Sequence, residues 1–332
     1  MNRYIPVAIV GMGVTTPLGS LESTKEFIEK GMKCYRKHED YPYPYGSCGN
    51  IPSSKMALDT LNAIKEKEAL WFAPNTDVYI GEISTHGKEL ERASDFYKSF
   101  NSNVADSVAL ANRFRGTVQG ISSVCCTSLS NIIAGVKAIR HGYADMAVVG
   151  GVNALDLNTL EFFRKMHLLT KHECMPLDPD RTGTVLSSGC GLLVLEDYYG
   201  ALEHGRNIYG IIEGFSEHTG MSRTASSPDE IFACMRTACF NFIPSVLSMH
   251  ATGTPMGDEV EMEAVKRHCE MFEFEERPKT FTWKKHLGHM LGACGAVETA
   301  LTMASSPKNS IACINSVGLN GHCASICIRT SI

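Results

Sequence analysis

The chain has 332 residues, enough for one large domain or two fused ones around a substantial core. Its 31 Lys and Arg stand against 36 Asp and Glu, a formal charge of -5, so no global field favours nucleic acid or an anionic membrane, and an acidic partner must dock on a local basic patch. The 13 cysteines are scattered without a CxxC pair, which predicts reduced, mostly core-filling thiols rather than a disulfide framework.

The opening MNRYIPVAIVGMG has a short apolar run cut by Gly11 and Gly13, too short for a signal peptide or a membrane span, and the cytoplasm is the expected location. Residues 4–10 read as a buried strand closed by the turn GMGVTTPLGS, and SLESTKEFIEKGM as a capped helix. GMGVTTPLG starts like a dinucleotide fingerprint, but Thr16 stands where the third glycine belongs, so a plain strand-to-helix turn is the expectation. Residues 34–55, rich in Tyr, Pro, Gly and charge, read as a loop. Strand-like runs follow at DVYIGEI, VQGISSV, DMAVVGGV and CGLLVLED, separated by helical stretches such as NVADSVALANRFRG and SLSNIIAGVKAIRHG. After ALEHGRN the pattern restarts with IYGIIEGF, a helix around DEIFACMRTACF, PSVLSMH, a helix from GDEVEMEAVKRH, KTFTW, a helix through LGACGAVETALTMAS, NSIACINSV and ASICIRTS. This alternation predicts an α/β fold of two similar halves, residues 1–205 and 206–332.

Chemistry concentrates in five segments. ISSVCCTSLS places Cys125 and Cys126 at a strand-to-helix turn, where exposed N–H groups and the helix dipole are expected to lower a thiol pKa and make a nucleophile. Both thiols lie at the turn, and their chemistry alone does not choose between them. HATGTPMGDEVE puts His250 at a strand end, followed by Thr252 and Thr254 in a glycine turn. KKHLGHMLGACG puts His289 at the start of a small-residue helix, with Lys284 five residues before it. Neutral imidazoles near helix N-termini suit hydrogen-bond donation to a developing enolate. His286 and His289 have HxxH spacing, but no HExxH or CxxC partner accompanies them, so no metal is expected. In PLDPDRTGTVLSSG, Asp178 and Arg181 read as a pair bracing a turn, and NSVGLNGHCASICI is a glycine turn between strands whose N–H groups can face a cleft.

Together these segments resemble the β-ketoacyl-acyl carrier protein synthases, the condensing enzymes of the thiolase-like superfamily. Counting from Cys125, Gly142 follows at 17 residues, Asp145 at 20, and Gly150 and Gly151 at 25 and 26, matching the family's spacing; Cys126 puts each landmark one residue out. The two histidine segments, DPDRTG and NSVGLNG resemble the remaining signatures. The resemblance implies a five-layered αβαβα fold of two related halves and a two-step reaction. Cys125 takes an acyl group from a thioester, and a malonyl thioester then decarboxylates and attacks it to give a 3-oxoacyl product. It further implies that His250 and His289 stabilise the enolate, that N–H groups of Cys125 and Leu319 form the oxyanion hole, and that Lys284 pairs with Glu261 to orient the His289 loop. Thr252 and Thr254 would bind the phosphopantetheine arm of an acyl carrier protein, with Lys55 and Lys171 as docking candidates and no cofactor of the enzyme's own.

The sequence departs from the family in length, mainly before residue 110, between Ser216 and Ser245, and between Met303 and Ile311. Leu319 replaces the usual gating phenylalanine, GLNG replaces a GFGG-type turn with His322 and Cys323 beyond it, and Ser187 to Gly189 read SSG instead of GEG. A smaller gate implies altered acyl selectivity. The expected enzyme is an acyltransferase of fatty-acid or polyketide-like biosynthesis, acting as a homodimer or with a second ketosynthase-like subunit. The competing readings are a catalytically weak chain-length partner, which usually lacks the nucleophile, and an acyltransferase that does not condense.

Overall fold

The computed structural model of the chain describes residues 5–39, 41–83, 103–220, 226–271 and 277–330. Among them are the strands β1 (Val7–Thr15), β2 (Tyr45–Gly46), β3 (Asp77–Glu82), β4 (Val118–Gln119), β5 (Met146–Asn153), β6 (Leu186–Ser187), β7 (Gly189–Asp197), β8 (Gly210–Thr219), β9 (Val246–Ser248), β10 (Lys279–Phe281), β11 (Ile311–Val317) and β12 (His322–Thr330). Ten of these hydrogen-bond in the order β10-β9-β11-β12-β8-β1-β7-β5-β3-β4, and the short β2 and β6 pair with each other.

Outward from the centre, one order occurs twice. β1 is antiparallel to β7 and β7 to β5, after which β5, β3 and β4 run parallel. In the same way β8 is antiparallel to β12 and β12 to β11, after which β11, β9 and β10 run parallel. The two sets join where Val7, Ala8 and Ile9 of β1 meet Ile212, Ile211 and Gly210.

The helices Thr127–Arg140 and Cys294–Ser305 lie between the two sets of strands and touch both. A helix in that position has no solvent face, which is why NIIAGV and CGAVETALTM are apolar or small nearly all round. Helices Ser53–Glu68 and Asn103–Asn112 cover the outer face of the first set, and Pro228–Ala238 and Pro255–Met271 that of the second. The result is a five-layered αβαβα arrangement of two similar halves. Among the described residues no helix is long and apolar enough to cross a membrane.

Three local expectations are corrected. The first strand does not end at the GMG segment: β1 runs through it to Thr15, with a bulge between Ile9 and Gly11. Gly11 is there for packing, because a Cβ on it would lie 2.6 Å from Ile64 of the covering helix. The turn is confined to residues 16–19, closed by Thr16 and Gly19 exchanging backbone hydrogen bonds of 3.0 and 2.9 Å. The run VQGISSV forms only the two-residue edge strand β4, since the chain then leaves the sheet to build the Cys125 turn. The supposed loop at 34–55 already contains the start of helix Ser53–Glu68, entered through Pro52. Tyr4, the first residue of the expected opening strand, lies outside the described residues.

Candidate active site

Cys125 sits two residues before Thr127, the first residue of helix Thr127–Arg140, at the end of a strained turn. Val124 takes φ +51, a left-handed conformation that a β-branched residue adopts only when its surroundings enforce it. The enforcement is local. Thr127 Oγ1 accepts from Ser123 N at 3.0 Å and donates to Val124 O at 2.6 Å, while Asn131 grips both backbone groups of Ile121 at 3.1 and 2.8 Å. The turn sends the adjacent thiols in different directions. Cys126 Sγ donates to the carbonyls of Ser316 and His322 at 3.3 and 3.4 Å, whereas Cys125 Sγ lies 3.1 Å from His289 Nε2.

Three further loops converge on that sulfur. His250 follows β9, His289 follows the short helix Lys284–Leu287, and residues 318–321 join β11 to β12. The Cys125 sulfur and one ring nitrogen from each of His250 and His289 all lie within 4.8 Å of one another. The two rings are 5.3 Å apart and nearly perpendicular at 83°. The N–H groups of Leu319 and of Cys125 itself bear on the sulfur. Phe163 meets the His289 ring edge-on at 6.4 Å.

Lys284 is placed differently from the expectation. Its Nζ is 3.3 Å from His250 Nδ1, and its carboxylate partner is Glu298 at 2.6 Å, not Glu261. Glu261 is already committed to the His250 loop: its oxygens accept from His250 N and Ala251 N, both at 2.7 Å, and from Asn315 Nδ2 at 2.9 Å. It therefore anchors His250 rather than His289.

Burial governs the charges. It pushes the Cys125 thiol up to about 11, against the pull of the Lys284 charge and the two N–H groups. The expected lowering by the helix terminus is thus outweighed, and the resting sulfur is a thiol. Burial, reinforced by Lys284, holds both His250 and His289 well below the usual imidazole range, so both rings are neutral. Burial alone would also lower Lys284, but the Glu298 carboxylate beside it and Glu261 outweigh it and the ammonium stays charged. Burial raises Glu298 to about 7 even with Lys284 beside it.

The other expected residues lie further out. Thr252 and Thr254 share a hydrogen bond of 2.9 Å on the half-buried turn after His250. Arg181 does not pair with the Asp178 carboxylate. It donates to the Asp178 carbonyl at 2.9 Å and to the Pro255 carbonyl at 2.8 Å, and its ion-pair partner is Asp258 at 3.7 Å. Asp258 is the better partner because it is buried at a helix start, where it also accepts from Leu177 N and Gly253 N at 2.8 and 3.0 Å. Lys55 is exposed and paired with Asp59 at 3.1 Å; Lys171 lies 5.9 Å from the Tyr43 ring and lines a surface cavity of about 560 Å³ with Lys37 and His172. His286 faces the Met32 carbonyl at 3.1 Å and is absent from the Cys125, His250 and His289 cluster. Cys125, His250 and His289 have the donor types of a zinc site. The buried Lys284 ammonium against His250 instead suits the site to an anionic oxygen.

Sequence reasoning missed Glu298, Asn315 and Cys294. Glu298 had a readable signal, being the sole acidic residue in a helix apolar all round. Asn315 and Cys294 had none, since each lies in a segment that reads as ordinary core.

Two family models match the chain: Beta-ketoacyl synthase, N-terminal domain, over residues 64–201, and Beta-ketoacyl synthase, C-terminal domain, over residues 209–314. Curated relatives include 3-oxoacyl-[acyl-carrier-protein] synthase 2 of Vibrio cholerae, 33% identical over 61% of this chain and 52% of the relative. Another is Probable polyketide synthase 26 of Dictyostelium discoideum, 26% identical over 67% of this chain and 10% of the relative. The chain thus spans about half the length of the synthases it matches, 52% and 55% in two cases, and a tenth of the polyketide synthase. Among solved structures, a type II polyketide ketosynthase in complex with its acyl-carrier protein superposes with a TM-score of 0.89 at 21% identity, covering 99% of this chain and 100% of that one. The ishigamide ketosynthase/chain length factor superposes with a TM-score of 0.86 at 19% identity over 99% and 100%. The strand order, the converging thiol and imidazoles, and the two matched models agree: the chain belongs to the beta-ketoacyl synthase family.

Proposed function

We propose that the chain is a 3-oxoacyl-[acyl carrier protein] synthase that condenses an acyl group held on Cys125 with a malonyl thioester. The observation that carries this reading is the buried meeting of Cys125, His250 and His289 within 4.8 Å, with a charged Lys284 behind it. In the first step the Cys125 sulfur attacks the acyl thioester carbonyl, the bond to the donor sulfur breaks, and the thiol proton leaves with that sulfur. Negative charge on the carbonyl oxygen is met by the N–H groups of Cys125 and Leu319, each such donor being worth about 3 kcal/mol.

In the second step the malonyl carboxylate departs as carbon dioxide, and the electron pair of the broken carbon–carbon bond becomes an enolate. The ring N–H groups of His250 and His289 hold its oxygen, which neutral imidazoles do without losing a proton to it. The enolate carbon bonds to the acyl carbon, and the Cys125 sulfur leaves and regains a proton from water. The Lys284 charge favours the anionic intermediate through His250, and Glu261 fixes that loop.

Thr252 and Thr254 are proposed to guide a phosphopantetheine arm and Lys171, beside Lys37 and His172, to meet an acidic carrier protein. Lys55, engaged by Asp59, is the weaker docking candidate. The halves are proposed to divide between residues 205 and 206; the recurrence of one strand order on either side of the link between β7 and β8 supports this boundary. The setting is fatty-acid or polyketide-like biosynthesis in the cytoplasm, as a dimer with itself or a related subunit.

Intact-mass analysis tests this. Incubation with an acyl thioester should add the acyl mass to Cys125, and malonyl-carrier protein should discharge it as a 3-oxoacyl product. Absence of any adduct overturns the reading. Discharge without the malonyl donor replaces it with a non-condensing acyltransferase.

A further inference from the structure

We infer that Cys294 is a positioning residue that fixes the tautomer of His289, keeping its Nε2–H aimed at the reacting oxygen. The consequence for rate rests on the condensing reading above, but the assignment itself rests on geometry. Both nitrogens of the His289 ring face a thiol: Nε2 lies 3.1 Å from Cys125 Sγ, and Nδ1 lies 3.1 Å from Cys294 Sγ. Cys294 also accepts the Met290 N–H on its sulfur at 3.1 Å.

Proton accounting decides the ring once Cys125 is acylated. In the resting protein two thiols face the ring, one at each nitrogen, but an acylated Cys125 has no proton to give, and the Cys294 thiol then has His289 Nδ1 as the acceptor among its contacts. In that state Nδ1 keeps its lone pair, and the ring proton sits on Nε2. The groups bearing on Cys294 are Lys284, Glu298 and Cys125; burial exceeds the Lys284 attraction and keeps Cys294 a thiol, able to donate. The backbone makes the contact possible: Leu291, at φ +47, folds residues 291–293 into a single 3-10 turn that brings Cys294 back beneath the ring.

His250 reaches the same tautomer by another route. Its Nδ1 faces the Lys284 ammonium at 3.3 Å, and an ammonium can only donate. Two rings with unlike partners thus both present Nε2–H to the cleft. For His289 that outcome depends on a residue whose side chain touches neither Cys125 nor substrate.

The test uses full-length protein labelled with nitrogen-15 at histidine, the His289 signals being assigned by their disappearance in His289→Gln. In a Cys125→Ala background, which removes the competing thiol as acylation does, the ring should show a protonated Nε2 and a bare Nδ1. Cys294→Ala should shift this pattern toward Nδ1 protonation, and Cys294→Ser, whose hydroxyl can still donate, should restore it. Malonyl decarboxylation by Cys294→Ala should fall about 10-fold in kcat, as when a histidine loses its outer partner, while the KM for acylating Cys125 holds and Cys294→Ser recovers most of the rate. A ring protonated on Nδ1 in the Cys125→Ala background, or the same pattern with and without Cys294→Ala in that background, overturns the inference. If Cys125 never acylates, the condensing reading fails while the nitrogen pattern still decides the role of Cys294.

Discussion

Lys284 Nζ and Glu298 Oε1 lie 2.6 Å apart with both side chains 1% exposed. Two charges so deeply buried are costly to hold and costlier to separate. Glu298→Gln leaves the ammonium unpaired and should lose about 3–5 kcal/mol of stability in urea titration. Replacing both partners, Lys284→Met with Glu298→Leu, should recover most of that loss yet abolish condensation, because the charge behind His250 is gone. A single variant that loses less than about 1 kcal/mol would show that the pair contributes little to stability.

The two histidines should separate the chemical steps. His289→Ala removes a donor to the enolate oxygen, and malonyl decarboxylation should fall about 100- to 1,000-fold, the usual loss for one such donor. Acylation of Cys125 relies on the N–H groups of Cys125 and Leu319, so mass analysis should still find the adduct. Equal loss of both steps would contradict this division of roles.

Much of this architecture was legible in the sequence because repeated strand–helix alternation is a periodic signal, and periodicity survives without tertiary context. The choice of Cys125 over Cys126 came from the resemblance, through the family's spacing to Gly142, Asp145, Gly150 and Gly151, and the turn at Val124 sends the two thiols in different directions. What could not be read were pairings decided by three-dimensional approach. Glu261 and Glu298 are both buried acids within reach of one story about Lys284; backbone N–H groups claimed the first, leaving the second for the lysine. The thiol pKa was misjudged for a related reason. A helix terminus is visible in a sequence, but the depth at which Cys125 is buried, 2% exposed, is not.

Gly151 sets the spacing between the two segments that carry the site. A Cβ there would lie 2.4 Å from Gly292 O, in the turn between His289 and Cys294, and 2.9 Å from Ser128 Cβ in the helix after Cys125. Backbone cannot yield as a side-chain tip can, so Gly151→Ala should cost about 1–3 kcal/mol and displace His289 from Cys125. Gly142, at φ +70 in open space, gives the control. Gly142→Asn tolerates that conformation and should leave condensation unchanged, and a similar rate loss in both variants would mean that general destabilisation, not site spacing, is being measured.

Buried histidines should make the protein acid-sensitive before they affect its chemistry. Burial lowers His268 to about 4 from 6.5. Above pH 6.5 the ring is neutral folded or unfolded and gives no pH dependence. As pH falls below 6.5 the unfolded chain binds a proton that the folded chain refuses, so stability present above 6.5 is lost toward pH 4, by about 3 kcal/mol for this group alone. Glu298, raised to about 7, has the opposite sign: its contribution is full below the ordinary carboxylate pKa of 4.5 and is lost as pH rises through 7. Urea titrations at pH 7 and pH 4.5 should therefore show a smaller acid loss in His268→Leu than in the wild-type protein, and equal losses would mean that His268 is not held neutral in the fold. His250 and His289 are held well below the usual imidazole range by burial and the Lys284 charge, so both are neutral donors near pH 6.5. The kcat for condensation should accordingly show no acid limb near pH 6.5, even where stability is already falling, and a limb at that pH would place a proton on one of the two rings.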